Sequence, residues 1–401
     1  MRIIRSLVAV GAVAATATAL AVAPAMAEPI NNHRHIVEPA PYDVVGVGSN
    51  TTQYVVDQLS LNYNATVKKP GPSNPFIYGW DAVPPSHPLD TTQNIKTKAG
   101  CKTNPRPDGS SAGISALTSY GNVRFKGHTY PCIDFARSSR PRKSTDGTGP
   151  GGVVFVTMAG DAVTYATTSN TNAPNNLNLK QLQAIFGCNV PAAHGFAQGT
   201  WGALLGSKAK SPKSVIDPIL PQAGSGTLSF WQETALGFST DSEPTCGTAA
   251  NLSTAKQPEE NEGISGVFLV KGKPNPNVIY PFSVGSFVAQ SLHSKRCGGA
   301  FKKGDNRFGC NEVGVFHLNG IGGVAPTVKV GKSRQTNPAW NKTPFHRFLY
   351  NVVPFYSKTA DHIAPRLERF FGRKGFFCNK KEKSVLIAYG FMPTLACGVT
   401  T

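Results

Sequence analysis

The chain has 401 residues, of which 40% are hydrophobic and 15% charged, and this balance excludes wholesale disorder. Its length allows two domains or one large one. Lys and Arg number 40 against 22 for Asp and Glu, which gives a formal net charge of +18. Because the basic residues are scattered and their densest clusters lack interleaved aromatic side chains, we expect no nucleic-acid partner. A basic protein that binds envelope polymers or other polyanions remains an alternative.

Residues 1–27 have the organisation of a secretory signal peptide. Arg2 and Arg5 precede an apolar stretch at 7–22, and 25–27 read Ala-Met-Ala, a small-residue cleavage signature. No cysteine lies near this point, which argues against a lipid anchor. No later apolar run approaches the ~20 residues that span a bilayer. We predict cleavage after about Ala27 and a secreted or extracytoplasmic protein.

The even number of cysteines, 8, suits disulfides in an exported protein. None of the cysteines forms a C-x-x-C motif, so a metal ribbon or a thioredoxin-like redox site is disfavoured, and we expect no metal and no cofactor. Many pairings are possible, and pairing of neighbours along the chain is the most economical. It gives Cys101–Cys132, Cys188–Cys246, Cys297–Cys310 and Cys378–Cys397.

Strand and helix patterns alternate along the chain, which predicts an α/β fold. Residues 28–41 are polar, contain proline and are expected to form a flexible leader, and 68–108 are expected to be irregular. The predicted strands lie at 42–48, 133–137, 153–156, 162–166, 278–280 and 348–353. The predicted helices lie at 54–59, 114–120, 179–186, 228–236, 284–292 and 360–371.

Three turns rich in glycine, serine and threonine open predicted helices, at 46–52, 109–113 and 224–227, and a serine-rich turn follows a strand at 138–139. Exposed N–H groups at a helix start favour an anion, and small hydroxyl side chains add donors. Ordinary helix capping is the alternative explanation for each turn. Their repetition in one chain favours convergence on one ligand. None has the Lys-Ser/Thr pair of a P-loop, and the first lacks the third glycine of a dinucleotide-binding turn.

The turn at 109–113 also fits the G-x-S-x-G motif, centred on Ser111. It raises a secreted serine hydrolase or phosphoesterase as an alternative. That motif should directly follow a strand, and residues 102–108 make a poor one. His317, His346 and His362 are available as bases, with no pattern that favours one of them. We expect a protein that is not an enzyme.

Taken in order, the four turns resemble those of the phosphate-binding proteins of ABC transporters, within the bilobal periplasmic-type solute-binding superfamily. The resemblance is loose, spans most of the mature chain and marks a divergent member. It implies a two-lobed fold with mixed sheets and a hinge of two crossover segments, in which lobe 1 is 42–165 plus 345–401 and lobe 2 is 166–344. It also implies a monomer that captures a small oxyanion, phosphate foremost, in the cleft and works with an ABC permease. The matching segments are 46–51, 109–113, 135–141 and 224–230.

The resemblance also assigns the ligand contacts, most of which are uncharged here. Two charged positions of the family pattern are changed. The aspartate that accepts a proton from the ligand is Ser139, and the arginine before the last turn is Pro221, with Ala223 in place of its supporting aspartate. Without the acidic selector, we expect weaker discrimination between phosphate and sulfate. Arg137 and Arg140 are the candidate replacements for the lost cation, and the other ligand positions are Asn50, Thr51, Ser110, Ser225, Gly226 and Thr227.

Overall fold

The computed structural model describes residues 28–29, 35–84, 92–238, 246, 257–263, 265–297 and 316–401, with side chains between 265 and 297 described up to Gln290. The predicted signal peptide and the predicted Cys297–Cys310 bond lie outside the described part. The helices are α1 (Gln53–Asn64), α2 (Gly109–Ser119), α3 (Leu179–Phe186), α4 (Trp201–Leu205), α5 (Gly226–Ser229), α6 (Val284–Cys297), α7 (Pro365–Phe371) and α8 (Lys383–Ala388). The strands are β1 (Val44–Gly48), β2 (Ile77–Gly79), β3 (Asn94–Lys96), β4 (Thr103–Pro105), β5 (Asn122–Phe125), β6 (His128–Pro131), β7 (Phe135–Ser138), β8 (Val153–Thr168), β9 (Asn176–Leu177), β10 (Asp217–Pro218), β11 (Leu269–Val270), β12 (Lys273–Pro274), β13 (Val278–Ser283), β14 (Phe316–Leu318), β15 (Gly320–Ile321), β16 (Thr327–Val330), β17 (Ser333–Thr336) and β18 (His346–Pro354).

One mixed sheet runs through the molecule. Its strands are ordered β10, β13, β8, β18, β7, β1 and β2, and β14 also pairs with β8. β1 is parallel to β2 and β7, whereas β18 is antiparallel to β7 and β8. The predicted α/β class with a mixed sheet is confirmed.

Two main hydrophobic cores divide the molecule into two lobes that share β8. Ala159 of β8 belongs to the core of the first lobe and Ala162 to that of the second, so β8 passes between them without a break. The returning chain changes cores in the same place, since Phe345 packs in the second core and Leu349 in the first. Other core residues are Val44, Val56, Phe135 and Phe371 in the first lobe, and Leu182, Trp201, Trp231 and Ile279 in the second.

Disulfides and an ion pair tie peripheral segments to these lobes. Within the predicted leader, Glu28 forms an ion pair with Arg106, and Pro39 O accepts a hydrogen bond of 2.9 Å from Ala99 N–H. The disulfides join Cys101 to Cys132, Cys188 to Cys246 and Cys378 to Cys397.

None of the helices formed by the described residues is long and apolar enough to cross a membrane.

Two element predictions were wrong in extent, and the stretch 68–108, expected to be irregular, contains β2, β3 and β4. The strands predicted at 153–156 and 162–166 are one strand of 16 residues, because Gly160 and Asp161 continue the pairing with β18 instead of breaking it. The helix predicted at 360–371 begins only at Pro365. A proline disfavours helical geometry in the residue before it, and Ala364 is extended, with φ −61° and ψ 138°.

Phe135 is the side chain on which we test the first core. Its ring covers Gly46 of β1, where any Cβ would overlap it, and lies 4.8 Å from the ring of Phe371. We expect Phe135→Ala to lower the free energy of unfolding by about 3–5 kcal/mol, because the cavity collapses only in part. Urea denaturation measures the loss. Leu395→Ala, at a 97% exposed position, is the control and should change little; equal effects would contradict the assigned core.

Candidate functional site

Two parallel strands bring two serines to the same edge of the sheet. β1 and β7 pair in register, with Gly48 opposite Arg137, so the residues that follow them are neighbours. Ser49 Oγ donates a hydrogen bond to Ser139 Oγ at 3.0 Å. Both side chains are fully buried. The turns at 46–52 and 138–139 therefore meet.

The other two turns pack against each other and against Ser139. Gly109 has a φ of +80° and approaches Gly224 so closely that a Cβ would lie 2.7 Å from Gly224 O, so both its φ and its surroundings require glycine. At Gly226, a Cβ would overlap the Oγ atoms of Ser110 and Ser139. Ser139 N–H also donates to Ser110 Oγ at 3.0 Å. All four turns thus converge.

The carboxylate of Glu260, fully buried, lies where the turns converge. Its Oε1 accepts hydrogen bonds from Thr51 Oγ1 and, at 3.1 Å, from Ser139 Oγ. Its Oε2 accepts from Ser225 Oγ at 2.6 Å and from Thr227 N–H at 3.2 Å. We call this set of donors the anion seat: Thr51 Oγ1, Ser139 Oγ, Ser225 Oγ and Thr227 N–H.

A buried ion pair lies beside the anion seat, at the point where β8 passes between the lobes. Arg347 of β18 is directly opposite Asp161 of β8, and its Nε and Nη2 donate to Asp161 Oδ2 at 3.0 and 2.9 Å. Arg347 Nη1 donates to Ser139 O at 2.9 Å and to Thr227 Oγ1 at 3.0 Å, and its Nη2 lies 3.4 Å from Thr51 Oγ1. The guanidinium thus orients three residues of the anion seat.

Asp161 is well satisfied in this buried position. Its Oδ2 also accepts from Ser283 Oγ at 2.8 Å, and its Oδ1 accepts from Gly285 N–H, in the first turn of α6, at 2.9 Å. Asp161 is itself fully buried. These neutral donors compensate for the lost hydration of the carboxylate.

The positions assigned by resemblance divide into three groups in the structure. Those that belong to the anion seat are Thr51, Ser139, Ser225 and Thr227. Ser110 and Gly226 lie next to it, Ser110 as the acceptor of Ser139 N–H. Asn50 turns to Asp108, to which its Nδ2 donates at 3.4 Å.

The structure directs the two candidate arginines away from the anion seat. Arg137 lies behind the first turn, where it donates to Gly48 O at 2.8 Å and Ser49 O at 3.2 Å. Arg140 forms an ion pair with Asp146, with Nη1 and Oδ2 2.7 Å apart. The cation at the seat is Arg347 instead.

Sequence reasoning missed the three charged residues of the site. Asp161 lies in the middle of a strand made mostly of apolar residues, and Arg347 comes just before the apolar run 348–350 of another. A charged residue at such a position is a usable signal of a buried pair. Glu260 lies in the acidic stretch 259–262, and no pattern in the sequence assigned it a contact in the site. The residues that donate hydrogen bonds to it in the seat are 33 to 209 positions away along the chain, so only the folded structure brings them together.

Ser111 has an unsuitable partner for a nucleophile. Its Oγ accepts a hydrogen bond of 3.2 Å from Arg140 Nε, and a guanidinium cannot remove its proton. Among the described residues, no group of three or more His, Cys, Asp or Glu side chains is arranged to hold a metal ion.

A pair of carboxyl groups, of which Glu259 is buried and Asp108 half-buried, joins the lobes beside the seat. Asp108, before α2, faces Glu259, and Asp108 Oδ1 also accepts from Gln222 Nε2 at 3.2 Å. Burial raises the pKa of Asp108 to about 6 against the hydrogen bonds that lower it. Burial and then the charge of Asp108 raise the pKa of Glu259 well above its usual range. Glu259 therefore keeps its proton at a pH at which Asp108 has lost its own, and the two groups share that one proton.

The comparisons with known proteins add likenesses in structure. No protein-family model and no curated protein matches the chain. It is similar to an ABC-type phosphate transport receptor from Vibrio cholerae, with 15% identity over 87% of this chain and 99% of that one and a TM-score of 0.49. It is similar to a putative phosphate ABC transporter substrate-binding protein with bound phosphate from Clostridium perfringens, with 15% identity, coverages of 88% and 99% and a TM-score of 0.47. It is also similar to PstS from Borrelia burgdorferi, with 15% identity, coverages of 87% and 98% and a TM-score of 0.41.

The Arg347–Asp161 pair gives a test of the site's electrostatics. We expect Arg347→Met to lower the free energy of unfolding by about 3–5 kcal/mol, because it leaves a buried carboxylate without its cation. The double variant Arg347→Met, Asp161→Asn should lose less stability than the sum of the losses in the single variants Arg347→Met and Asp161→Asn. Urea denaturation of all four proteins checks this, and strict additivity would contradict the pairing.

The Asp108–Glu259 pair predicts how stability depends on pH. An acid whose pKa is raised by folding binds its proton more tightly in the folded state. Its contribution to stability is therefore complete below a pH of about 4, the pKa of the group in the unfolded chain. The contribution is lost as the pH rises through the folded-state pKa, which is about 6 for Asp108. We expect the urea midpoint to fall between pH 5 and pH 8, and to fall less in Asp108→Asn. Identical pH dependence in both proteins would contradict the shared proton.

Proposed function

We propose that this protein is a secreted solute-binding protein that captures a small oxyanion, phosphate foremost, between its two lobes. Binding occurs by closure of the lobes about the crossovers in β8 and between β17 and β18. The ligand is held by hydrogen bonds and undergoes no reaction.

The observation that carries the proposal is the anion seat itself. Its donors already surround a carboxylate, which supports a geometry suited to an oxyanion. Hydroxyl and backbone donors in a dry site bind a charged acceptor more strongly than they would in water. Arg347 adds a cation whose charge is partly compensated by Asp161, so the seat attracts an anion without an unpaired buried charge.

Phosphate is favoured by the sequence resemblance, which covers the same four turns. The lack of an aspartate at Ser139 does not leave the site without an acid, because Glu260 supplies one from another segment. A carboxylate near the seat can repel a fully ionised anion and accept a proton from a protonated one. Glu260 therefore acts against the loss of discrimination between phosphate and sulfate that Ser139 alone predicts.

The wider setting is part of the same proposal. Residues 1–27 direct export and are removed, and the mature chain, a monomer, delivers its ligand to an ABC permease. The moving parts are lobe 1 (42–165 plus 345–401) and lobe 2 (166–344). The change of core between Ala159 and Ala162 supports a hinge close to the first of these boundaries.

Calorimetric titration with phosphate, sulfate and phosphate esters tests the proposal. The mature protein should bind at least one of them with a stoichiometry of about one, as expected for one cleft. No binding heat and no thermal shift with any of them would remove the oxyanion function.

A pair of adjacent serines provides a matched prediction. Ser139 Oγ belongs to the anion seat, whereas Ser138 Oγ, equally buried, donates to Arg140 O at 2.9 Å. We expect Ser139→Ala to weaken phosphate binding by about 1–3 kcal/mol, since the buried anion loses a donor. Ser138→Ala should bind phosphate like the wild type. Equal affinities of the two variants by calorimetry would contradict the assigned seat.

A further inference from the structure

The two oxygens of the Glu260 carboxylate contact different lobes. Oε1 accepts from Thr51 and Ser139, which follow β1 and β7 of the first lobe. Oε2 accepts from Ser225 and Thr227, at the start of α5 in the second lobe. One side chain of the protein thus makes the bridging contacts that a ligand in the cleft would make.

The segment that carries Glu260 is firmly anchored to the second lobe. Asn261 has a φ of +61°, a left-handed conformation that is unfavourable for a residue with a side chain. Its Oδ1 accepts from Ser283 N–H at 2.8 Å and its backbone O from Gln290 Nε2 at 2.6 Å. Tyr280 Oη donates to Glu259 O at 2.7 Å. These buried bonds on both sides fix the direction in which the Glu260 side chain leaves the backbone.

We propose that Glu260 is a built-in occupant of the anion seat, which holds the lobes together in place of a ligand, and that an external oxyanion binds by exchange with it. The proposal rests on the function proposed above, and it adds a competition that sets the affinity of the same site. Every donor of the seat has one position for an acceptor oxygen, so the carboxylate and the external anion compete for the same bonds.

The competition has consequences for affinity and for ligand class. The apparent affinity is the intrinsic affinity multiplied by the fraction of molecules whose seat is free. If Glu260 occupies the seat in about 90–99% of molecules, binding is therefore weakened about 10- to 100-fold. A small monocarboxylate brings the same charge and the same two oxygens as Glu260 and gains nothing by exchange. A tetrahedral anion with more charge and more acceptor oxygens does gain, so the exchange selects against simple carboxylates.

Replacement of Glu260 tests both consequences in the full mature chain. In Glu260→Ala without added anion, we expect a larger radius of gyration by small-angle X-ray scattering than in the wild type. Concentrated acetate should restore the wild-type value in the variant and leave the wild type unchanged, because acetate supplies the missing carboxylate. Phosphate should bind the variant about 10- to 100-fold more tightly than the wild type in calorimetry.

Glu262→Gln is the matched control, because Glu262 is an equally buried acid of the same segment whose carboxylate accepts from Ser265 N–H. It should behave like the wild type in both measurements. Glu260→Gln is the second variant, in case the alanine variant does not fold. It keeps the size of the side chain but turns an amide donor towards the seat, and it should shift both readouts in the same direction.

The outcomes separate the two proposals. An unchanged radius of gyration without an acetate response, or weaker phosphate binding in Glu260→Ala than in the wild type, would overturn the exchange even if the wild type binds phosphate. If the variant expands and acetate restores it, while phosphate, sulfate and phosphate esters bind neither protein, the occupant role of Glu260 is supported and the oxyanion-capture function fails.

Discussion

The burial of three charges where the lobes meet is the constraint that organises this molecule. Asp161, Arg347 and Glu260 are at most 3% exposed, so the protein must supply the bonds that water would otherwise provide. Arg347 and Asp161 compensate each other across adjacent strands. Glu260 has no cation bound directly among the described contacts and depends on the hydroxyl and N–H donors of the turns, together with Asn261 Nδ2 at 3.4 Å. The four turns are therefore placed by electrostatics as much as by hydrophobic packing.

This arrangement explains why the site contains mostly neutral donors. A second cation in the cleft, one without a paired carboxylate, would bind any anion strongly but would be costly to bury when the cleft is empty of a ligand. Hydroxyl groups avoid that cost, because they can donate to an anion and still bond to each other, as Ser49 and Ser139 do at 3.0 Å. An acid of the same chain can then complete the site. The affinity for an external ligand is then set by the difference in binding free energy between that ligand and the protein's own carboxylate, because both use the same donors.

The sequence predicted the local parts of this account well. The helix at 179–186, the α/β alternation and the turns at 109–113 and 224–227 follow from glycine, capping residues and hydrophobic spacing, which act over a few residues. The charges of the site were not predictable in this way. Arg347 meets Asp161 through strand pairing across 186 positions, and Glu260 meets Thr51 across 209. Arg137 and Arg140 were candidates because they are close in sequence to Ser139, whereas their side chains contact Gly48 O, Ser49 O and Asp146.

The occupancy of the anion seat is measured most directly by crystal structures of the mature protein grown without added oxyanion and with saturating phosphate. In the first, the account predicts the Glu260 carboxylate within hydrogen-bond distance of Ser139, Ser225 and Thr227. In the second, phosphate oxygens should occupy those positions, with the Glu260 side chain displaced. Phosphate bound elsewhere, with Glu260 still in the seat, would contradict the account.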